Sequence, residues 1–143
     1  MLARRQATNL DGPFCWHLHK LSMRAYVEAT WGWDEADQVR RFEASFRPAA
    51  VQIVELDDEP IGMLSVDTQA VPIDILSLEI MPAFQRRGYG TAVIQEILRA
   101  AAGQPVRLQV LKVNPARSLY ERIGFVVSGE TETHWQMLHG ISA

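Results

Sequence analysis

In the stretch Leu78-Glu79-Ile80-Met81-Pro82-Ala83-Phe84-Gln85-Arg86-Arg87-Gly88-Tyr89-Gly90-Thr91, an apolar run stops at a proline and crosses a basic loop with two glycines. Helical spacing follows at Val93, Ile94, Ile97 and Leu98. The pattern predicts a strand from Ile73 to Met81 and an amphipathic helix from Gly90 to Ala102. A strand feeding a helix in this way leaves the unpaired N–H groups of the first helical turn aimed at whatever sits beyond the strand end, and an anion is favoured there. Gly88 and Gly90 let the backbone come close to a ligand or adopt positive φ, while Arg86 and Arg87 add cations at the same spot. A pyrophosphate suits such a turn, although composition alone is equally compatible with a basic loop that simply caps a helix. The spacing is not that of the Walker loop, which ends in Gly-Lys-Ser/Thr, nor of the dinucleotide fingerprint, which needs a third glycine.

Working outward, Val51–Leu56 and Ile61–Val66 are β-rich runs separated by Asp57-Asp58-Glu59-Pro60, so they read as an antiparallel hairpin. Before them, Met1–Thr8 reads as a first strand. Asp11-Gly12-Pro13 reads as a helix start with Asp11 as the N-cap carboxylate, and that helix runs to about Glu28. Trp31-Gly32-Trp33 interrupts, and Asp34 is placed to cap a second helix carrying Val39, Phe42 and Phe46 until Pro48. After the glycine loop come a strand over Val106–Val113, a short helix over Pro115–Arg122, and a closing strand pair over Phe125–Val127 and Thr133–Leu138. The order predicts an α/β (α+β) domain with a mixed, largely antiparallel twisted sheet of about six to seven strands and about four flanking helices.

A chain of 143 residues is the size of one domain, and its 48% hydrophobic and 22% charged composition is that of an ordinary globular protein. A formal charge of -3 gives no broad positive field, so nucleic acid is not an expected partner. The single Cys15 forms no internal disulfide and no Cys/His spacing resembles a zinc site, so no metal is expected. His17 and His19 lie two residues apart on a predicted helix and do not share a face. The first residues lack the apolar core of a secretion signal and no stretch approaches a membrane span, so a cytoplasmic protein without membrane contact is the expectation.

Gln85-Arg86-Arg87-Gly88-Tyr89-Gly90 fits at every fixed position the Gln/Arg-x-x-Gly-x-Gly/Ala motif of the GNAT superfamily of N-acetyltransferases, and the chain resembles that superfamily in a second segment as well. Leu108–Phe125 is similar to the family's fifth strand, Asn-led helix start and Tyr-Glu-x-x-Gly-Phe ending. Ala116 and Ser118 blur the small-residue spacing, whereas Asn114, Tyr120 and Gly124-Phe125 stand where expected. The resemblance implies the GNAT fold over most of the chain and acetyl-CoA as co-substrate. It also implies that the backbone from Gln85 to Thr91, including Arg86, Arg87, Gly88, Tyr89 and Gly90, binds the pyrophosphate. The pantetheine arm would lie along Ile80 and Met81 like an added strand, held also by Asn114, if the fourth and fifth strands splay apart. Tyr120 is implied as the general acid that protonates the leaving thiolate; read without the family it is a tyrosine at the edge of the core.

The base is open. Glu79, in an otherwise apolar strand, and Asp74, at the start of the same strand, are both candidates, and strand alternation puts them on opposite faces unless a bulge intervenes. Either can also be an edge carboxylate with no such role. Trp31 and Trp33 with Glu28, Asp34 and Glu35 could attract and cover a cationic amine, or be packing and a solvated acidic face. The reading is an N-acetyltransferase acting on a primary amine of a small molecule or a protein. A CoA-binding sensor without turnover and a phosphate- or nucleotide-binding module are the alternatives, and the closing strands offer a surface for a homodimer.

Overall fold

The computed structural model describes residues 1–140. Seven strands, β1 (Leu2–Gln6), β2 (Gln52–Leu56), β3 (Glu59–Asp67), β4 (Ile73–Ile80), β5 (Val106–Leu111), β6 (Val126–Glu130) and β7 (His134–His139), form one sheet in the order β1-β2-β3-β4-β5-β7-β6. Four α-helices flank it: α1 (Gly12–Trp31), α2 (Glu35–Ser45), α3 (Tyr89–Ala101) and α4 (Ala116–Ile123). Every neighbouring pair is antiparallel except β4 and β5, which α3 joins as a crossover. This is the architecture the sequence predicts. The β2–β3 turn is tighter than expected, because Asp57 and Asp58 both take positive φ and Glu59 and Pro60 already belong to β3.

The sheet separates two cores. Val54, Leu64, Ile73, Ile75, Val106 and Leu108 meet Val93, Ile94 and Ile97 of α3, and Phe125 and Met137 complete that layer. Ile53 and Met63 point to the other face, against Cys15 and Leu18 of α1, with Phe42 and Phe46 of α2 packed around them. Alternation along β2 and β3 makes this division, since neighbouring residues leave a strand on opposite faces.

A register shift opposite Ser65 and Val66, which pair with Ser77 and Ile75, leaves Leu76 of β4 as an extra, exposed residue. The bulge flips the alternation, so Ile75 and Leu78 both join the α3-side core. It also puts Asp74 and Glu79 on one face, correcting the expectation from a regular strand that they oppose each other.

Two helix starts differ in their chemistry. Asp34 caps α2 as expected, accepting the Asp37 N–H at 3.0 Å. Asp11 does not cap α1. Its carboxylate is taken by the Arg5 guanidinium, at 2.9 Å to each oxygen, and by the Thr8 N–H at 2.8 Å. The Arg5 contact, with help from Thr8, holds the Asp11 carboxyl at about 2. No helix among the described residues is long and apolar enough to cross a membrane.

Candidate active site

Strands β4 and β5 pair only at Ile73, Asp74 and Ile75 with Val106, Arg107 and Leu108. Beyond Ile75 the two strands have no pairing with each other, and the sheet opens between them. A cleft of about 370 Å³ lies at this opening. Its walls come from Glu79 and Ile80 of β4, the loop and first turn of α3, Asn114 and Tyr120 around α4, and Ser22, Met23 and Tyr26 of α1.

The loop end of the cleft combines open backbone donors with exposed cations. Gly88 is left-handed at φ +86°, and Arg86 before it also has positive φ. The chain thereby turns so that α3 starts at Tyr89, with the Ala92 N–H returning to the Gly88 carbonyl at 3.0 Å. The N–H groups of Tyr89, Gly90 and Thr91 have no acceptor among the described residues, as first-turn donors without a side-chain cap must. A Cβ at Gly90 would meet nothing within 4 Å, so neither packing nor backbone conformation asks for glycine there. Arg86 and Arg87 are exposed, and neither guanidinium has a carboxylate partner among the described residues. Gln85 lies at the same mouth and steadies the strand end, its Nε2 donating to the Ile80 carbonyl at 2.8 Å. Met81 packs on the α1 side, and its N–H bonds back to Ile61 rather than facing the opening.

On the α4 side, the Asn114 Oδ1 accepts the Ala116 N–H at 2.9 Å and so starts the helix. Its Nδ2 has no acceptor among the described residues and remains available at the cleft wall. Tyr120 packs edge-on against Phe125, with ring centroids 6.1 Å apart. Burial, and then the nearby Glu79 charge, push its phenol above the ordinary tyrosine range, so the O–H is retained at any neutral pH.

Glu79 is buried and projects towards α1. Ser22 Oγ donates to its Oε1 at 2.8 Å, and His19 Nδ1 lies 3.1 Å from the same oxygen and 3.5 Å from Oε2. Neither partner of Glu79 is among the site residues read from the sequence, where His19 is weighed only against a metal pair and Ser22 is not singled out. His19 and Ser22 are one helical turn apart and share the face of α1 that meets β4, a spacing visible in the sequence but uninformative until Glu79 is known to lie opposite.

Asp74 is not brought to this cleft. It sits five residues away, at the closed end where β4 and β5 still pair, and its carboxylate holds Arg107 at 3.2 Å. Nor do the two tryptophans wall the cleft. Trp33 stacks on Trp16 at 6.2 Å, lies under the Arg24 guanidinium, and donates to Glu35. Trp31, the last residue of α1, is exposed near His134 and lines with Trp33 and Asp34 a separate hollow. Of the acidic group, Asp34 caps α2, Glu35 pairs with Lys20 at 2.7 Å, and Glu28 is exposed.

Strands β4 and β5 thus part at a cleft with the uncapped start of α3 at its mouth and Glu79 and Tyr120 on its walls. The family model described as "Acetyltransferase (GNAT) family" matches residues 15–125, and the chain belongs to that family. No curated protein matches the sequence closely enough to count as a relative. Among solved structures, the chain is similar to the PaiA N-acetyltransferase from Thermoplasma acidophilum in complex with coenzyme A, at 16% identity and TM-score 0.78 over 99% of each chain. It is also similar to an acetyltransferase from Thermus thermophilus, at 20% identity and TM-score 0.77 over 99% of this chain and 97% of that one. A third is the ribosomal-protein-S18-alanine N-acetyltransferase from Escherichia coli, at 16% identity and TM-score 0.69 over 100% and 96%. At these identities the likeness is one of fold.

Proposed function

We propose that the protein transfers an acetyl group from acetyl-CoA to a primary amine, by direct attack of the neutral amine on the thioester. The observation that carries this reading is the cleft itself, in which donor N–H groups, a carboxylate and a protonated phenol converge where the sheet parts.

Acetyl-CoA supplies the activated acyl group. The Tyr89, Gly90 and Thr91 N–H groups, with Arg86 and Arg87, would hold its pyrophosphate, and the open strand edge beside Ile80 and the free Nδ2 of Asn114 would hold the arm. An alkylammonium, with a pKa of about 10 in water, must lose a proton before it can attack. Glu79 is the carboxylate in reach, and its Oε2, which Ser22 leaves free, is the accepting atom. Tyr120 keeps its proton until a thiolate departs and then donates it. The acceptor enters along Ser22, Met23 and Tyr26 of α1, the wall opposite α4. It can be a small molecule or the end of a protein chain.

CoA at about a hundred times its dissociation constant should stabilise the fold by roughly 2.7 kcal/mol, which is several degrees in Tm for a domain of this size. A melting curve unmoved by millimolar CoA overturns the assignment. A CoA-binding sensor would also show the shift but would need neither Glu79 nor Tyr120 in the cleft, so amine-dependent thiol release separates the two.

A further inference from the structure

Glu79 is an unusual general base in one respect: its carboxylate is already engaged before any amine arrives. Its side chain is 8% exposed, and two donors from successive turns of α1 reach over the strand to it. Both contacts converge on one oxygen. Ser22 Oγ is 2.8 Å and His19 Nδ1 is 3.1 Å from Oε1, whereas Oε2 has only the longer 3.5 Å approach of His19. A carboxylate held in this way presents one oxygen to its clamp and leaves the other for a proton.

The clamp is itself held. The His19 ring lies against Phe42 of α2, with centroids 6.3 Å apart and planes 25° apart, and against Trp16 at 6.3 Å. Those contacts fix the plane in which Nδ1 points. His19 is the one member of the clamp that can take up a second ring proton, and at 26% exposure its ring is in contact with solvent. Neutral, with its proton on Nδ1, it donates to Glu79 without altering the charge beside it. As an imidazolium it makes an ion pair, in which the carboxylate is a weaker base.

We infer that His19 is a positioning residue for the acetyl transfer: with Ser22 it clamps Oε1 of Glu79 so that Oε2 faces the amine, and its own protonation weakens the base. This inference rests on the reading of Glu79 as the base. The protons balance: one leaves the ammonium nitrogen for Oε2 and departs to water after product release, and a second leaves the nitrogen as the tetrahedral adduct collapses and replaces the one Tyr120 gives to the thiolate, while the His19 and Ser22 protons stay where they are.

The other charged and titratable groups around the ring do not supply the same switch. Cys15, one turn earlier on α1, is a fully buried thiol that stays protonated up to about pH 11. Lys20 is paired with Glu35 of α2, and Arg24 lies over Trp33. Tyr120 of α4, whose phenol feels the Glu79 charge, is neutral throughout. Phe42, the contact from α2, carries no charge.

The test compares wild type, His19→Leu and His19→Asn, with CoA affinity measured by calorimetry. Turnover is measured with acetyl-CoA and simple alkylamines or peptides with a free N-terminus. The leucine removes the donor. The asparagine restores an N–H at the position of Nδ1 but cannot titrate. The expected result is a fall in kcat of about 30-fold for His19→Leu, with CoA affinity and the KM for acetyl-CoA unchanged. His19→Asn should recover to within about fivefold of wild type and lose the part of the pH dependence of kcat that charging of the imidazole supplies. Equal impairment of both variants, full activity of both, or an asparagine profile that superimposes on wild type overturns the inference. If His19→Leu fails to fold, the His19→Asn profile decides alone. Wild-type protein that turns over no amine overturns the functional reading and the clamp with it; wild-type turnover with an unchanged His19→Asn profile overturns the clamp alone.

Discussion

At Tyr120 one atom separates packing from chemistry. Tyr120→Phe keeps the ring against Phe125 and removes the O–H, so CoA affinity should hold while kcat falls about 10²-fold; an unchanged kcat would give the proton to another donor. Glu79→Gln should cost at least as much and flatten the rise of kcat with pH, whereas Asp74→Asn should leave turnover intact, since Asp74 only pairs with a half-exposed Arg107 outside the cleft. Cys15 gives a different signature. Burial raises its thiol from 9.0 to about 11, so the folded state holds that proton more tightly than the unfolded chain does. Its stabilising contribution is therefore whole below pH 9 and is lost as pH climbs towards 11, by on the order of 2 kcal/mol. Thermal melts across that range should show the decline, and Cys15→Ala should flatten it. Asp11 mirrors this on the acid side: its carboxyl falls from 3.8 to about 2, so the Arg5 contact stabilises the fold above pH 3.8 and fades as pH drops towards 2.

Two glycines at the start of α3 separate conformation from access. Gly88→Val puts a β-branched residue at φ +86° and should destabilise the fold by roughly 1–3 kcal/mol, which blurs any reading of its binding. Gly90 sits in ordinary helical backbone with open space at its Cβ, so Gly90→Val should fold with little loss and still abolish the CoA-induced shift in Tm. If Gly90→Val binds CoA normally, the pyrophosphate does not approach that turn. The strand, the loop and α3 were all legible in the sequence, because the apolar period changes from two to 3.6 across Pro82–Gly90. The bulge at Leu76 was not. The apolar alternation changes phase between Ile75 and Leu76, but two adjacent apolar residues also suit a strand buried on both faces, and the pairing with Ser65 and Val66 is what makes Leu76 the extra residue. The face shared by Asp74 and Glu79 was hidden with it. Asp11 misled for a related reason: a carboxylate before Gly-Pro has the right local chemistry for a cap, but Arg5, on a separate strand, binds it more strongly.

Across the whole molecule, the loop end of the cleft was legible because it depends on local backbone and a short motif, and the opposite wall was not, because it is assembled from α1 against β4. His19, Ser22 and Tyr26 carry no motif, whereas Trp31 and Trp33 line a separate hollow with Asp34, which caps α2, and Glu35 pairs with Lys20. The same division makes the molecule testable in halves, with CoA binding reporting the loop and amine turnover reporting the far wall. The most direct measurement of the central claim is free-thiol release and mass-spectrometric detection of the acetylated amine, with acetyl-CoA, a mixed panel of alkylamines and free-N-terminal peptides, and wild-type, Glu79→Gln and Gly90→Val proteins. Thiol and acetylated amine should appear in equal amounts with wild type, and both should fall at least about 10²-fold in either variant. CoA bound tightly by wild type with no amine-dependent thiol release across the panel would contradict that claim.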